Sequence, residues 1–424
     1  MSSSVVKPVQ RRRVFYIPGY DPIHPRRYRE LYRKEGAAQA AVSGYELALS
    51  AKAAGGQGRY GWHVDAVIDG GTIQTDFEVL VWSDIVRDSM DQGIVSTYAQ
   101  LVRTAWAYIA SGALLRLMRL RKGPVIAALY PVGMLLIQLL VALLLGHGVG
   151  TALTWSARYL PLGQEGTALS ARLMVEGLLY WGGLFGTAWA LLTWFKSRDN
   201  KLFAYYLMHD YAYSARYKGA NPPELEARIA QFTDEIAAAL LDDVDEVLVV
   251  GHSSGAHLAV SILSDIIRQG RVPANGPVLS FLSLGQVVPM VSFLPKAYRL
   301  RGDLRFLSTR DELSWIDVTA PGDGCAFALC DPVSVSGVAP DGKCWPLVVS
   351  AAFTQTLSPE RWRALRWRFF RLHFQYLCAF DRPGDYDYFQ ITAGPQTLGQ
   401  RYEGRVPSPS RIDVAVSKYT DVAA

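Results

Sequence analysis

The stretch 247–259, Val-Leu-Val-Val-Gly-His-Ser-Ser-Gly-Ala-His-Leu-Ala, decides the fold of this chain. Four apolar residues are followed by Gly-x-Ser-x-Gly and then by helix-forming residues, so we predict a strand, a sharp turn and a helix to about Arg268. Gly251 and Gly255 let the backbone crowd at the turn, while the hydroxyl of Ser253 projects outward. The first N–H groups of the helix then point at any negative charge that forms on Ser253.

The composition favours a mixed protein, with one large globular domain and a few membrane spans. The chain has 424 residues, half of them hydrophobic, and its mean hydropathy is +0.10. That hydropathy is high for a soluble enzyme and low for a protein with many spans. The formal net charge is only +5, so the charge gives no general sign of nucleic-acid binding.

The cysteines predict neither a zinc site nor a disulfide framework. They are Cys325, Cys330, Cys344 and Cys378. None forms a Cys-x-x-Cys pair, and no histidine lies at metal-ligand spacing from them. We expect buried thiols in a reducing compartment.

Two uncharged apolar runs, at about 124–146 and 177–195, predict a pair of membrane-spanning helices; one span with a re-entrant or buried helix is the alternative. At a rise of 1.5 Å per residue the first run extends about 34 Å, and a bilayer core is about 30 Å thick. Basic residues flank the pair on its outer sides: Arg116, Arg119, Arg121, Lys122, Lys196, Arg198 and Lys201. By the positive-inside rule we expect the globular domain to face the cytoplasm, in an inner membrane of bacterial type.

The Gly-x-Ser-x-Gly motif, in its strand–turn–helix setting, resembles the nucleophile elbow of the α/β-hydrolase superfamily of serine esterases and lipases. The order and spacing of further predicted strands extend the resemblance: 14–17, 62–68, 77–82, 278–288, 313–318 and 347–352. It implies a mostly parallel sheet with helices on both faces, and acyl transfer through an ester of Ser253. It implies no metal and no organic cofactor.

The resemblance also implies a triad in the chain order serine, acid, histidine. Two histidines follow Ser253. His257 lies one turn into the helix and precedes every later strand, so we expect His373 to be the base. His373 would take the proton of Ser253 and later activate water.

The triad acid is expected after the predicted strand 313–318. Asp323, in the loop that follows, is ranked first, then Asp317 within the strand, then Asp331. An aspartate before a glycine also suits a simple turn, which is the alternative interpretation of Asp323.

Two backbone N–H groups are expected to hold the oxyanion of an α/β-hydrolase. One belongs to Tyr20, in the loop after the early strand, and the other to Ser254, next to the nucleophile. Losing one such donor typically costs about 3 kcal/mol of transition-state stabilisation.

The stretch 361–371, Arg-Trp-Arg-Ala-Leu-Arg-Trp-Arg-Phe-Phe-Arg, interleaves arginines with aromatic residues. This pattern suits an anionic lipid surface. It could also stack the bases of a nucleic acid. Because it lies beside the predicted base in a chain with two apolar runs, we favour the membrane and expect no nucleic acid as a partner.

The sequence therefore predicts a membrane-bound serine hydrolase that cleaves carboxylic, and most naturally lipid, esters. The predicted parts are residues 1–94 and 205–399 for the α/β domain, 95–204 for an interfacial helix and the transmembrane pair, and 400–424 for a loosely packed polar tail. Helices are also predicted at 26–50, 95–120 and 224–241. The alternatives are an acyltransferase or thioesterase on the same triad, and a non-catalytic membrane protein whose domain binds a partner.

Overall fold

A computed structural model of the chain describes residues 7–52, 60–90, 93–159 and 166–423. These residues form an α/β fold with a mostly parallel sheet of eight strands, together with two long apolar helices. The strands are β1 (Arg11–Ile17), β2 (Glu46–Ala51), β3 (Gly61–Ile68), β4 (Gly71–Val79), β5 (Glu246–His252), β6 (Val278–Leu284), β7 (Leu313–Thr319) and β8 (Leu347–Ser350).

The helices occur throughout the described ranges, and several are a single turn. They are α1 (Arg26–Ser43), α2 (Ser83–Met90), α3 (Ile94–Ala110), α4 (Ala113–Leu120), α5 (Lys122–Ala157), α6 (Gly166–Ser197), α7 (Asp199–Leu202), α8 (Ala204–Arg216), α9 (Pro223–Ala239), α10 (Gly255–Arg268), α11 (Val288–Ser292), α12 (Tyr298–Leu307), α13 (Pro332–Val335), α14 (Phe353–Thr356), α15 (Pro359–Leu365), α16 (Phe369–His373), α17 (Tyr388–Ala393) and α18 (Leu398–Arg401). A 3₁₀ turn spans Gln375–Leu377.

The sheet has the strand order β2-β3-β4-β1-β5-β6-β7-β8. β4, β1, β5, β6, β7 and β8 run parallel, whereas β2–β3 and β3–β4 are antiparallel pairs. All seven residues of β5 are buried. Since successive side chains point to opposite faces, both faces of the sheet are covered at its centre.

The first edge of the sheet differs from the prediction. The helix predicted to about Ser50 ends at Ser43, because Gly44 takes a left-handed φ of 75° that terminates α1. The following residues pair with β3 as β2. β3 and β4 are joined at Asp69-Gly70, both with positive φ, as a tight hairpin requires.

Two further predicted elements are interrupted. The helix predicted at 95–120 is split into α3 and α4 by Gly112, whose φ is 73°. The strand predicted at 278–288 ends at Leu284, where Gly285 takes a φ of 53°. In both places a glycine reverses the backbone, which hydrophobic periodicity does not reveal.

The two apolar helices are longer than the uncharged runs that predicted them. The spans identified by length and composition are Lys122–Ala157, with a mean hydropathy of 2.3, and Leu169–Ser197, with 1.2. Only 22% and 17% of their most apolar windows are buried within the protein, unlike the core helix of a soluble domain. Each is therefore long and apolar enough to cross a membrane.

The chain divides into two compact units. One contains Met1–Ser89, Trp106–Ala127 and Ser214–Ala424, and holds the sheet; the other contains Met90–Ala105 and Ala128–Tyr213. In the second unit α5 and α6 approach closely at glycines, since a Cβ on Gly183 would lie 2.9 Å from the Cα of Gly150.

The predicted polar tail is mostly exposed, but some of its backbone groups bind the domain. The N–H of Ile412 donates to the carbonyl of Leu329 over 2.7 Å. The buried Arg301 donates from Nε to the carbonyl of Asp421, also over 2.7 Å.

Candidate active site

The predicted turn at Ser253 is present between β5 and α10. Ser253 has a φ of 57°, a left-handed conformation that is uncommon and strained for a residue with a side chain. Its N–H donates to the carbonyl of Leu284 over 2.9 Å. A Cβ on Gly255 would collide with the carbonyl oxygen of Ile17, and one on Gly251 would lie 2.7 Å from the Cα of Ala256. The two glycines of the motif are therefore required by close packing around the turn.

The loop after β1 lies against Ser253, the residue predicted to be the nucleophile. A Cβ added to Gly19 would lie 2.9 Å from the Cβ of Ser253 and 3.3 Å from its Oγ. The indole N–H of Trp82 donates to the carbonyl of Pro18 over 2.9 Å and holds this loop in place. Tyr20 follows Gly19 directly, and Ser254 immediately precedes α10. Their roles as oxyanion donors stay predictions.

The structure brings the predicted acid and base together. Asp323 lies in the loop after β7, and His373 is the last residue of α16. His373 Nδ1 and Asp323 Oδ2 are 2.7 Å apart, and both side chains are buried. Burial acts to raise the pKa of Asp323, but its net shift is downward, because the contact with His373 and hydrogen bonds from the Cys325 N–H and the Tyr376 hydroxyl favour the charged form. Asp323 is thus a buried carboxylate held in its ionised state.

Shared neighbours place His373 beside the turn that carries Ser253. A Cβ on Gly285 would lie 3.0 Å from His373 Cε1. Gly285 follows Leu284, whose carbonyl accepts the N–H of Ser253. The rings of His252 and His373 are 4.9 Å apart between centroids. The three predicted triad residues therefore gather at the carboxyl ends of β5, β6 and β7.

The alternative acids have other partners. Asp317, inside β7, accepts from the hydroxyl of Ser283 over 2.6 Å, and burial raises its pKa to about 8. Asp331 accepts from the N–H groups of Val333 and Ser334 and so caps α13. It also pairs with Lys343 at 2.6 Å. In neither arrangement does the carboxylate bind His373.

His257, the other histidine after the nucleophile, lies in α10 and is buried. Burial lowers its pKa to about 4, so the ring is neutral at physiological pH. Its Nδ1 has no hydrogen-bond partner among the residues that the structure describes. With no carboxylate to orient it, His257 lacks the contact that distinguishes a catalytic base.

Two residues that contact the site, Tyr376 and His252, were not predicted. The hydroxyl of Tyr376 donates to Asp323 Oδ2 over 3.0 Å and accepts from the N–H of Ala320, also over 3.0 Å. Nε2 of His252 lies 3.1 Å from the carbonyl oxygen of His373. Burial is the main cause, and the nearby His373 the second, of a pKa of about 3 for His252. The ring is therefore neutral and donates this hydrogen bond.

The available sequence signal for these two residues is only their position. Tyr376 lies three residues after the predicted base, and His252 directly precedes the nucleophile. Tyrosine and histidine are common in apolar segments for reasons of packing alone, so neither position stands out before the fold is known.

The acid and base also belong to a group that could hold a metal ion. Donor atoms of Asp323, Cys325 and His373 all lie within 4.8 Å of one another. A cation bound there would replace the proton between Asp323 and His373, so metal binding and base catalysis would compete for the same nitrogen or oxygen atoms.

Comparisons with known proteins assign no family to this site. The chain matches no protein-family model, no curated protein and no solved structure. The chemistry of the site must therefore be argued from its own residues.

Proposed function

We propose that the protein is a serine hydrolase that cleaves carboxylic esters through an acyl-enzyme on Ser253. One observation carries the proposal: the buried Asp323 binds His373 over 2.7 Å beside a serine held at a strained strand-to-helix turn. An isolated buried carboxylate is costly. A carboxylate paired with an imidazole, beside a serine at a strand-to-helix turn, supplies the acid and base that activate a serine hydroxyl.

Each residue has one role in the proposed reaction. With Nδ1–H donated to Asp323, His373 presents an unprotonated Nε2, which removes the proton of Ser253 as its Oγ attacks the ester carbonyl. The N–H groups of Tyr20 and Ser254 stabilise the oxyanion. His373 then gives the proton to the leaving alcohol. In the second half it removes a proton from the water that attacks the acyl group, and returns it to Ser253 Oγ as the carboxylic acid leaves.

The proposed membrane location indicates the class of ester that the protein cleaves. The apolar helices α5 and α6 favour an enzyme tethered to a bilayer, with the domain on the cytoplasmic side as the basic flanks predict. An enzyme in this position meets esters of long acyl chains at high local concentration. We therefore propose lipid esters as the natural substrates.

Hydrolysis of p-nitrophenyl butyrate by the detergent-solubilised protein tests this proposal. We expect a burst of p-nitrophenol of about one equivalent, because acylation precedes a slower deacylation. The Ser253→Ala variant should show no burst, and its rate should fall by about 10⁴-fold or more.

Product analysis with an added alcohol separates hydrolysis from acyl transfer. A free carboxylic acid as the main product supports a hydrolase, whereas a new ester as the main product would make the protein an acyltransferase on the same triad. A folded protein that hydrolyses neither oxygen esters nor thioesters with butyryl or longer acyl chains would contradict the proposal and favour a binding function.

A further inference from the structure

The arginine-rich stretch forms an exposed surface that the proposed reaction does not use. Trp367 is 73% exposed, Phe369 41% and Phe370 40%. Three exposed arginines alternate with them. We name this surface the arginine–aromatic patch; it consists of Arg366, Trp367, Arg368, Phe369, Phe370 and Arg371.

The arginines of the patch are not neutralised by the protein. Arg366, Arg368 and Arg371 have no carboxylate within 4.0 Å in the ranges that the structure describes, whereas the neighbouring Arg363 pairs with Glu360. Arg366 instead lies over the ring of Trp367, at 5.6 Å from its centroid. The patch thus exposes three cations together with large aromatic surfaces, a combination that is complementary to an anionic, partly apolar partner.

The patch is continuous with the loop that holds the triad acid. A Cβ on Gly324, the residue after Asp323, would lie 2.9 Å from Cδ1 of Phe369. On the other side of the acid, a Cβ on Gly322 would lie 2.6 Å from the ring of Trp362. The same short helix, α16, begins with Phe369 and ends with the base His373. A partner surface that binds the patch would therefore lie next to Asp323 and His373.

The first apolar helix, α5, begins beside the same loop. Gly123, the second residue of α5, packs against Gly324, since its added Cβ would lie 3.3 Å from the Gly324 Cα. Arg121 donates from Nε to the carbonyl of Ala328 over 2.8 Å and fixes the approach. The loop after β7 therefore contacts both the patch and the first residues of the first apolar helix.

We propose that the arginine–aromatic patch binds the anionic surface of a lipid bilayer, and that the ester cleaved at Ser253 is one presented in that surface. The second half of this inference rests on the proposed function; the first half does not. Aromatic rings at the depth of the lipid head groups and arginines on their phosphates account for both components of the patch. A soluble anion would leave most of the Trp367 ring in water.

A charge-neutralised variant and a matched control test the inference. The patch variant carries Arg366→Gln, Arg368→Gln and Arg371→Gln; the control carries Lys296→Gln, Arg305→Gln and Lys418→Gln, which removes three exposed cations from other parts of the surface. A second pair compares Trp367→Gln with Leu241→Gln, because Leu241 is 77% exposed and lies at the end of another helix.

The activity-independent measurement is hydrogen–deuterium exchange of residues 361–373 in nanodiscs. One set is made of phosphatidylcholine alone, and the other contains about 30 mol% phosphatidylglycerol, an anionic lipid. In the wild type and both controls we expect slower exchange with the anionic lipid. In the patch variant the two nanodiscs should give the same exchange, and Trp367→Gln should lose most of the difference.

The second measurement is the rate of hydrolysis of a long-chain ester embedded in the same two membranes. We expect the wild-type rate to rise with anionic lipid, and the patch variant to be about tenfold slower there. Both variants should hydrolyse soluble p-nitrophenyl butyrate at the wild-type rate. If the wild type does not hydrolyse p-nitrophenyl butyrate, the proposed function is wrong. The exchange measurement then tests the bilayer contact independently of activity.

Exchange that is independent of lipid charge in the wild type would overturn the inference. So would a patch variant indistinguishable from its control in both measurements. If the patch variant instead loses binding of a fluorescent single-stranded RNA, with its lipid response unchanged, the surface serves a nucleic acid and the proposal is wrong.

Discussion

Two buried carboxylates lie six residues apart on β7 and the loop that follows it, and their surroundings affect them in opposite directions. Asp317 accepts from Ser283, and burial raises its pKa to about 8. Asp323 is buried as deeply, yet its pKa is lowered, because His373 and two further donors compensate for the lost water. Burial alone therefore does not make a carboxylate useful for catalysis. The partner decides whether such a carboxyl is a neutral acid inside a strand, as in Asp317, or an ionised group bound to a histidine, as in Asp323.

The exchange of each carboxylate for its amide is expected to have the largest and most unequal effect. Asp323→Asn keeps the shape of the side chain but removes the charge that orients His373, so the rate of ester hydrolysis should fall by about 10⁴-fold. Asp317→Asn should change the rate less than threefold, since no contact of Asp317 reaches His373. Steady-state rates on p-nitrophenyl butyrate give both values. Equal losses in the two variants would mean that Asp323 has no special role.

A smaller effect is expected when the nucleophile is displaced and both carboxylates are kept. Gly19→Ala places a methyl group 2.9 Å from the Cβ of Ser253, so Ser253 or the loop must move. A misplacement of a reacting group by about 1 Å typically costs about 100-fold in rate. Gly384→Ala is the control, because its Cβ would meet only ordinary contact, at 3.8 Å from Thr356. Wild-type activity in Gly19→Ala would show that the loop does not position the serine.

Removal of one hydroxyl should sharpen the contrast around Asp323. In Tyr376→Phe one hydrogen bond to Asp323 Oδ2 is lost, and the rate should fall about tenfold, the equivalent of about 1.4 kcal/mol. Because that bond favours the charged form, its loss raises the pKa of Asp323, so the pH at which protonation of Asp323 abolishes activity should move upward. A lower rate with an unshifted profile would indicate a purely structural role for Tyr376.

The smallest effect concerns stability and separates the two carboxylates by pH. Between its ordinary pKa of 3.8 and the folded value of about 8, Asp317 keeps a proton in the folded state that the unfolded chain has lost. The free energy of unfolding should therefore decrease as the pH rises through this window, by at most about 1.4 kcal/mol per pH unit from this group. Asp323 contributes the opposite slope, at lower pH, since its folded pKa is lowered.

The Asp317→Asn variant isolates that slope. It carries no titrating proton, so its stability relative to the wild type should increase from pH 5 to pH 8, with activity retained. Thermal unfolding of the detergent-solubilised protein at the two pH values measures the difference. A constant difference in stability at both pH values would mean that the carboxyl of Asp317 ionises normally.

The sequence was informative where local chemistry determines structure. The strand, left-handed turn and helix around Ser253 follow from its glycines, and the apolar runs indicate α5 and α6. The loop position of Asp323 also pointed to its contact with His373. The first two signals lie within a few residues of the features that they predict, whereas the Asp323–His373 contact spans 50 residues and followed from the chain order that the resemblance implies.

What the sequence did not reveal depends on contacts between distant residues. β2 forms because β3 offers an antiparallel partner, although its residues also continue a helical pattern. Tyr376 meets Asp323 across 53 residues of chain. The tail binds through backbone groups, such as that of Ile412, which carry no compositional signal. Only the folded backbone identifies such partners.

The most direct test of the central claim is intact-mass analysis after reaction with a fluorophosphonate. We predict one phosphonyl adduct per wild-type chain, located on Ser253 by peptide mapping. Ser253→Ala should take up none, and His373→Ala should react at least about 10³-fold more slowly. A folded wild-type protein without an adduct, or an adduct that persists in Ser253→Ala, would contradict the account of Ser253 as a nucleophile activated by His373 and Asp323.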